Sequence, residues 1–312
     1  MRVPRSLFCL WLVVGLCTLR AQVPPPAVPA PLGVVAVRKM FDAWKAPVPP
    51  RQLVGNIHYV GAIGVSSYLI TTAEGHILLD TGFAETVPLI LHGIEQLGFK
   101  PADIKFILSS HAHIDHVGGH ARMKAAVRGA QVVASAADAR ILESGGADDF
   151  IPFPRETILF EPVKADRIVA DGESVTLGGV VLTAHLTPGH TRGATTWTMQ
   201  VAEGGARPWE VVFYSSASIN AGTRLVHNPL YPEIADDLAA TFARLRELPC
   251  DIFFAPHGGQ FAMAEKFARL DRGEGAVALV DPSGWKKLIE TAEKAYRDQL
   301  ALEQAAEKGG RS

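Results

Sequence analysis

The chain has 312 residues, 48% of them hydrophobic and 20% charged, with 30 basic and 32 acidic side chains and a net charge of -2. That balance offers no basic field for nucleic acid and no acidic tract for a cationic partner. The length admits one large domain or two small ones.

The N-terminus predicts a signal peptide over residues 1–21. Arg2 and Arg5 supply a positive start, residues 7–16 form a short apolar run, and Ala21 is a small residue suited to cleavage. The run is too short for a membrane anchor, which needs about 20 apolar residues. Cys17 opens a lipoprotein alternative, disfavoured by Leu16 directly before it. The mature chain is therefore expected in a periplasm, free of the membrane, from about Gln22. Cleavage would remove Cys9 and Cys17 and leave only Cys250, which excludes an internal disulfide and a cysteine-rich metal site. Cys250 precedes an apolar run and reads as a small buried hydrophobe.

Residues 22–33 are rich in Pro and Ala and read as a loose leader. The expected layout is an N-terminal segment over 22–50, a domain over 51–305 and a short tail over 306–312. Residues 65–71 and 76–80 read as strands joined by the turn Ala73-Glu74-Gly75. Residues 85–97 have helical spacing, with Val87, Ile90, Leu91, Ile94 and Leu97 on one side. A short apolar strand over 104–108 ends directly in a histidine-rich segment, followed by a helix over 117–127 and a strand over 131–134. In the second half, strands are predicted at 174–177, 180–186, 195–201 and 211–214. Then come a helix over 232–248, a strand over 251–255, a helix over 261–270 and a long amphipathic helix from Asp281-Pro282. Strands fill the middle of each half and helices flank them. That pattern suits two packed sheets with helices outside, one domain with two similar halves.

Three of the eleven histidines fall within His111-Ala112-His113-Ile114-Asp115-His116. Imidazole and carboxylate are suitable zinc ligands and are available at neutral pH. His111 and His113, two apart on the loop beyond a strand, can converge on one metal; the adjacent Asp115 and His116 can face a second. Four residues cannot complete two tetrahedral sites, so further ligands are expected. His190, in Thr187-Pro188-Gly189-His190-Thr191, and His257, in Ala255-Pro256-His257-Gly258-Gly259, each occupy a loop past a strand end. His120 ranks below them, because its helix face turns away from the loop. His58, His76, His92, His185 and His227 lack partners and read as structural.

These residues resemble the metallo-β-lactamase superfamily signature, with His111, His113, Asp115 and His116 followed by His190 and His257. The run Gly75-His76-Ile77-Leu78-Leu79-Asp80-Thr81-Gly82, the segment Ser110-His111-Ala112-His113, residues 182–191 and Asn228-Pro229-Leu230-Tyr231-Pro232 are similar to subclass B3 metallo-β-lactamases. The resemblance covers the chain from about Ile57 to the C-terminal helix. It implies an αββα sandwich, two mixed sheets packed face to face with helices outside. It also implies two zinc ions per chain, one held by His111, His113 and His190, the other by Asp115, His116 and His257. Where other branches place a cysteine or a bridging aspartate, this sequence has Ser216.

The activity implied is hydrolysis of the β-lactam amide of penicillins, cephalosporins and carbapenems by hydroxide activated at the metals, without an acyl-enzyme. Asp115 would orient the nucleophile, and Ser216 and Ser218 would contact the substrate carboxylate. Asp80 would anchor a ligand histidine or simply cap its turn. The partner expected is a small-molecule β-lactam, with no nucleic acid and no membrane, and the chain is expected to be a monomer. Substrate preference is expected to depend on the loops 143–155 and 220–227. Two other readings stand beside this one: an exported hydrolase of thioesters or lactones, and an inert zinc-binding protein.

Overall fold

The computed structural model describes residues 29–203 and 207–309. The expected signal peptide, the leader before residue 29 and residues 310–312 lie outside the described residues. Chain order begins with a helix, α1 (Val34–Trp44), in a segment to which the sequence pattern assigned no element. Its Val37, Phe41 and Trp44 fall on one face at helical spacing and pack with Ala62, Val65 and Phe83.

The first sheet has seven strands in sequential order. They are β1 (Arg51–Val54), β2 (Ile57–Tyr59), β3 (Tyr68–Thr72), β4 (Gly75–Leu79), β5 (Ile104–Leu108), β6 (Gln131–Ser135) and β7 (Arg167–Val169). Strands β1 to β4 form an antiparallel meander, and β4 to β7 run parallel. Parallel neighbours need crossovers. These are α2 (Val87–Gln96), the pair α3 (Ile114–Val117) and α4 (His120–Ala126), and α5 (Ala136–Ser144). The second sheet, β8 (Ser174–Leu177), β9 (Val180–Leu186), β10 (Thr195–Val201), β11 (Trp209–Phe213) and β12 (Ile252–Phe254), is antiparallel except where β12 lies parallel to β11 after α6 (Ile234–Glu247). The chain closes with α7 (Met263–Asp271) and α8 (Pro282–Gly309).

Side-chain alternation builds two cores from one sheet. Ile57, Tyr59, Tyr68, Ile70, Ile77 and Leu79 face the second sheet and meet Leu182, Ala184, Trp197, Phe213 and Phe254. Leu69 and Leu78, one residue out of phase, face outward onto Ile90 and Ile94 of α2. Strand β4 is buried on both faces, which is why it reads as an unbroken apolar run. Trp197 is fully buried and its indole N–H donates to Ser109 O at 3.0 Å, so the second sheet grips the end of β5. The result is the expected sandwich: two mixed sheets face to face with helices outside.

Several elements differ from expectation. The single helix expected over 117–127 is two, α3 and α4, broken at Gly118 and Gly119. A side chain on Gly119 would come within 2.7 Å of Thr81 O, so the chain can pass there only as glycine. Strands β1, β2 and β7 have four, three and three residues, too few for alternation to show. Helix α8, expected from Asp281-Pro282, runs to Gly309. Among the described residues, no helix is long and apolar enough to cross a membrane.

Candidate metal centre

The site is assembled at the strand ends where the two sheets meet. Beyond β5 the chain turns sharply, and Asp80, just past β4, holds it. Ser110 N and Oγ donate to Asp80 Oδ1 and Oδ2 at 2.8 and 2.5 Å. Asp80 sits at φ 59°, a strained backbone for a non-glycine residue, and its own N–H donates to Leu108 O. From the second sheet, Thr195 N and Ser215 Oγ both donate to Ser110 O. The loop carrying His111 is therefore clamped from both sides.

His190 comes from the β9–β10 loop and His257 from the loop after β12. Together with the β5 loop they form two trios, His111 with His113 and His190, and Asp115 with His116 and His257. In each trio the ligand atoms all lie within 4.8 Å of one another. The trios adjoin, since the His111 and His116 rings are 4.2 Å apart. All six expected ligands are thus brought together. His120 is excluded from both trios: buried beneath the loop, it is hydrogen-bonded to Thr81 Oγ1 and Ser109 Oγ at 2.8 and 3.0 Å.

Three of the five imidazoles, those of His111, His190 and His257, are held by one nitrogen, which assigns the other to the site. His190 Nδ1 donates to Ser218 O at 2.7 Å and His257 Nδ1 to Gly64 O at 2.8 Å, so both present Nε2. His111 Nδ1 meets Ser110 Oγ at 3.1 Å, leaving a buried Nε2 with no hydrogen-bond partner. His116 Nδ1 lies 3.9 Å from Asp80 Oδ2, so Asp80 serves His111 through Ser110 and faces His116 directly. His113 differs. Its Nε2 is 3.3 Å from Asp149 Oδ2, an ion-pair separation without the alignment of a hydrogen bond, which turns Nδ1 toward the trio.

The donor set fits a divalent ion of the zinc type. A buried imidazole nitrogen without a partner, as at His111 Nε2, is costly unless something accepts its lone pair. Electrostatics agree. Burial, then the neighbouring imidazoles, hold His111 well below the usual histidine range; burial likewise lowers His190 and His257, and brings His113 to about 4. These rings are neutral at pH 7, the form that binds metal. His116 is the exception: burial works to lower it, but the charge and proximity of Asp115, 2.9 Å away, and of Asp80 raise it overall. Burial would raise Asp115, yet His116 and His257 outweigh it and keep this carboxylate ionised.

The trios open into a cleft of about 300 Å³. Leu32, Met40, Phe41 and Trp44 wall one side, Asp149, Ile151, Phe153 and Ile158 another, and Ser218, Ile219, Asn220 and Ala221 a third. A larger groove of about 630 Å³ between residues 47–50 and α2 has His92 as its lone imidazole, so size does not mark the site. Of the two expected serines, Ser218 lines the cleft. Ser216 is buried behind it, its Oγ 3.0 Å from Ser218 Oγ, which in turn lies 3.2 Å from His190 Nδ1.

Sequence reasoning missed the parts that orient the ligands. Asp138, in the first turn of α5, accepts from Ala112 N, Gly193 N and Thr191 Oγ1 and so ties the His113 loop to the His190 loop. Burial raises its carboxyl to about 7. A signal existed: Ser135-Ala136-Ala137-Asp138 after a strand is a helix-start pattern, and Ser135 does accept from Asp138 N. Trp44 packs its ring 4.7 Å from that of His257, and its backbone O accepts from Gly64 N. A side chain on Gly64 would strike the Trp44 ring at 2.3 Å. The spacing of Val37, Phe41 and Trp44 could have revealed α1, but Pro-rich flanks hid it.

Fold and site together define a two-sheet sandwich that brings two adjoining metal-binding trios together at its strand ends, and the comparisons agree. The family model of the metallo-beta-lactamase superfamily matches residues 60–201. Native FEZ-1 metallo-beta-lactamase from Legionella gormanii is 39% identical with a TM-score of 0.79, over 82% of this chain and 97% of FEZ-1. BJP-1, a subclass B3 metallo-beta-lactamase of Bradyrhizobium japonicum, is 40% identical with a TM-score of 0.77, over 84% of this chain and 97% of BJP-1. The chain belongs to the metallo-beta-lactamase superfamily. Similarity to curated sequences is more local. N-acyl homoserine lactonase of Bacillus cereus is 33% identical over 76 residues, and the chain spans only 30% of that relative's length.

Proposed function

We propose that this protein is an exported zinc β-lactamase that opens the β-lactam amide of penicillins, cephalosporins and carbapenems and works in the periplasm as a monomer. The observation that carries the reading is the conjunction of two intact trios with about 40% identity across nearly the whole length of FEZ-1 and BJP-1. Two zinc ions held there would supply Lewis acidity and lower the pKa of a water to about 7.

The remaining work falls to the chain's own residues. Asp115, kept ionised by its histidine neighbours, accepts a hydrogen bond from the attacking water and directs it to the lactam carbonyl. Ser218, on the cleft wall, meets the substrate carboxylate, and Ser216 orients the Ser218 hydroxyl from behind. The apolar walls from α1 and residues 151–158 receive the substrate's apolar substituents and thin out water near the ions.

The test is turnover of nitrocefin and a carbapenem by the metal-loaded protein, with and without EDTA and clavulanate. Chelator-sensitive, clavulanate-resistant hydrolysis is expected; turnover indifferent to EDTA sinks the reading. The second reading, a lactone or thioester hydrolase, draws on the local likeness to N-acyl homoserine lactonase. It is disfavoured because Ser216 offers no bridging carboxylate. An acyl homoserine lactone and a thioester in the same assay discriminate the two.

A further inference from the structure

The third wall of the cleft continues into a segment held by the far end of the molecule. Ser218, Ile219, Asn220 and Ala221 face the cleft, and Ser218 O receives the His190 N–H. The chain then turns, with Thr223 N donating to Asn220 O at 2.9 Å, and runs along α8. Leu225 N and Val226 N both donate to Glu303 Oε2 at 2.8 Å. One turn earlier, the Gln299 amide donates to Thr223 O and to Glu303 Oε1, each at 2.7 Å. One turn later, Glu307 lies 3.1 Å from His227 Nε2. Residues 299, 303 and 307 form a single stripe along the helix.

Two features set this contact apart from ordinary helix packing. Glu303 is only 9% exposed, yet among the described residues no cation pairs with it; its partners are N–H groups, two of them from the loop backbone. A carboxylate so placed is tolerated only while those donors stay in position, so loop and carboxylate fix each other. The loop also holds His227 at φ 50°, a conformation that persists for a non-glycine residue only where the surroundings impose it.

We propose that Glu303, braced by Gln299, is a positioning residue that sets the 218–226 wall of the cleft and, through Ser218, the seat of His190. The C-terminal helix thereby governs how tightly substrate is held. The consequence for substrate rests on the hydrolase reading above; the grip on the loop does not.

The experiment measures amide hydrogen exchange across residues 219–228 in the full chain for wild type, Glu303→Gln and Glu303→Ala. Glu293→Gln serves as control, since Glu293 sits on the same helix but pairs with Arg246 and Arg297. Glu303→Ala should speed exchange of the Leu225 and Val226 amides by about tenfold or more, as loss of hydrogen bonds to a charged acceptor implies. Glu303→Gln, which keeps the shape, should give a smaller change and serves if the alanine variant does not fold. KM for whichever substrate is turned over should rise severalfold while kcat stays within about twofold. Unchanged loop exchange in a folded Glu303→Ala overturns the proposal, and so does equal acceleration in Glu293→Gln. Lack of β-lactam turnover would refute the function proposed above and leave the exchange result standing.

Discussion

The two trios sit side by side but are built from different chemistry. The first is three neutral imidazoles, all buried, drawn from the β5 loop and the β9–β10 loop and backed by Ser110, Asp149 and the Ser218 carbonyl. The second contains a carboxylate, and its His257 side chain keeps 26% exposure. Its members polarise one another, with Asp115 held ionised and His116 pushed toward its charged form. The first is thus a neutral cradle that only an ion makes positive. The second already carries the charge of Asp115 before any ion binds, and that charge raises His116 from the ordinary histidine value. Ion affinity and ion chemistry are therefore expected to divide unevenly between the two.

Removing both ions with EDTA is the largest perturbation and should abolish turnover; restored zinc should restore it, measured by nitrocefin absorbance and metal analysis. Next, His116→Ala should strip the second site alone, leaving about one ion per chain by atomic emission and rates lowered by about a hundredfold or more. Two retained ions would show that the trios are not separable. Trp44→Ala removes the ring packed at a tilt against His257 and should weaken the second site by roughly tenfold with the first unaffected, read from cobalt titration spectra. Asp149→Asn is the gentlest case. It keeps an oxygen near His113 Nε2 but removes a carboxyl that burial already raises to about 7, and should weaken the first site by about threefold. An equal loss at both sites would contradict the independence of the backing groups.

The six ligands were legible because the chemistry requires particular residue types at strand ends, and strand ends can be read from short apolar runs such as 104–108 and 252–254. The sandwich was legible from strands filling the middle of each half with helices beside them and from the family resemblance, although Ile77, Leu78 and Leu79 read as one apolar run because β4 is buried on both faces. What escaped was whatever depends on pairing across long sequence distance. Asp138 meets Gly193, Trp44 meets His257, and Glu303 meets Leu225 only in the folded chain. Asp149 fell within a loop expected to shape substrate preference, but nothing local connects it with His113. The short strands β1, β2 and β7 escaped for want of length.

Asp138 accepts from both the His113 loop and the His190 loop, and His257 arrives from the end of the second sheet. Neither half of the sequence can thus complete an ion site alone. A bound ion acts as a reversible cross-link between segments far apart in the chain, closing loops that the unfolded polypeptide would leave open. Among the described residues Cys250 is the one cysteine and is free, so the protein's resistance to heat should track the concentration of free metal, its melting temperature climbing as the ion is supplied and falling as it is withdrawn.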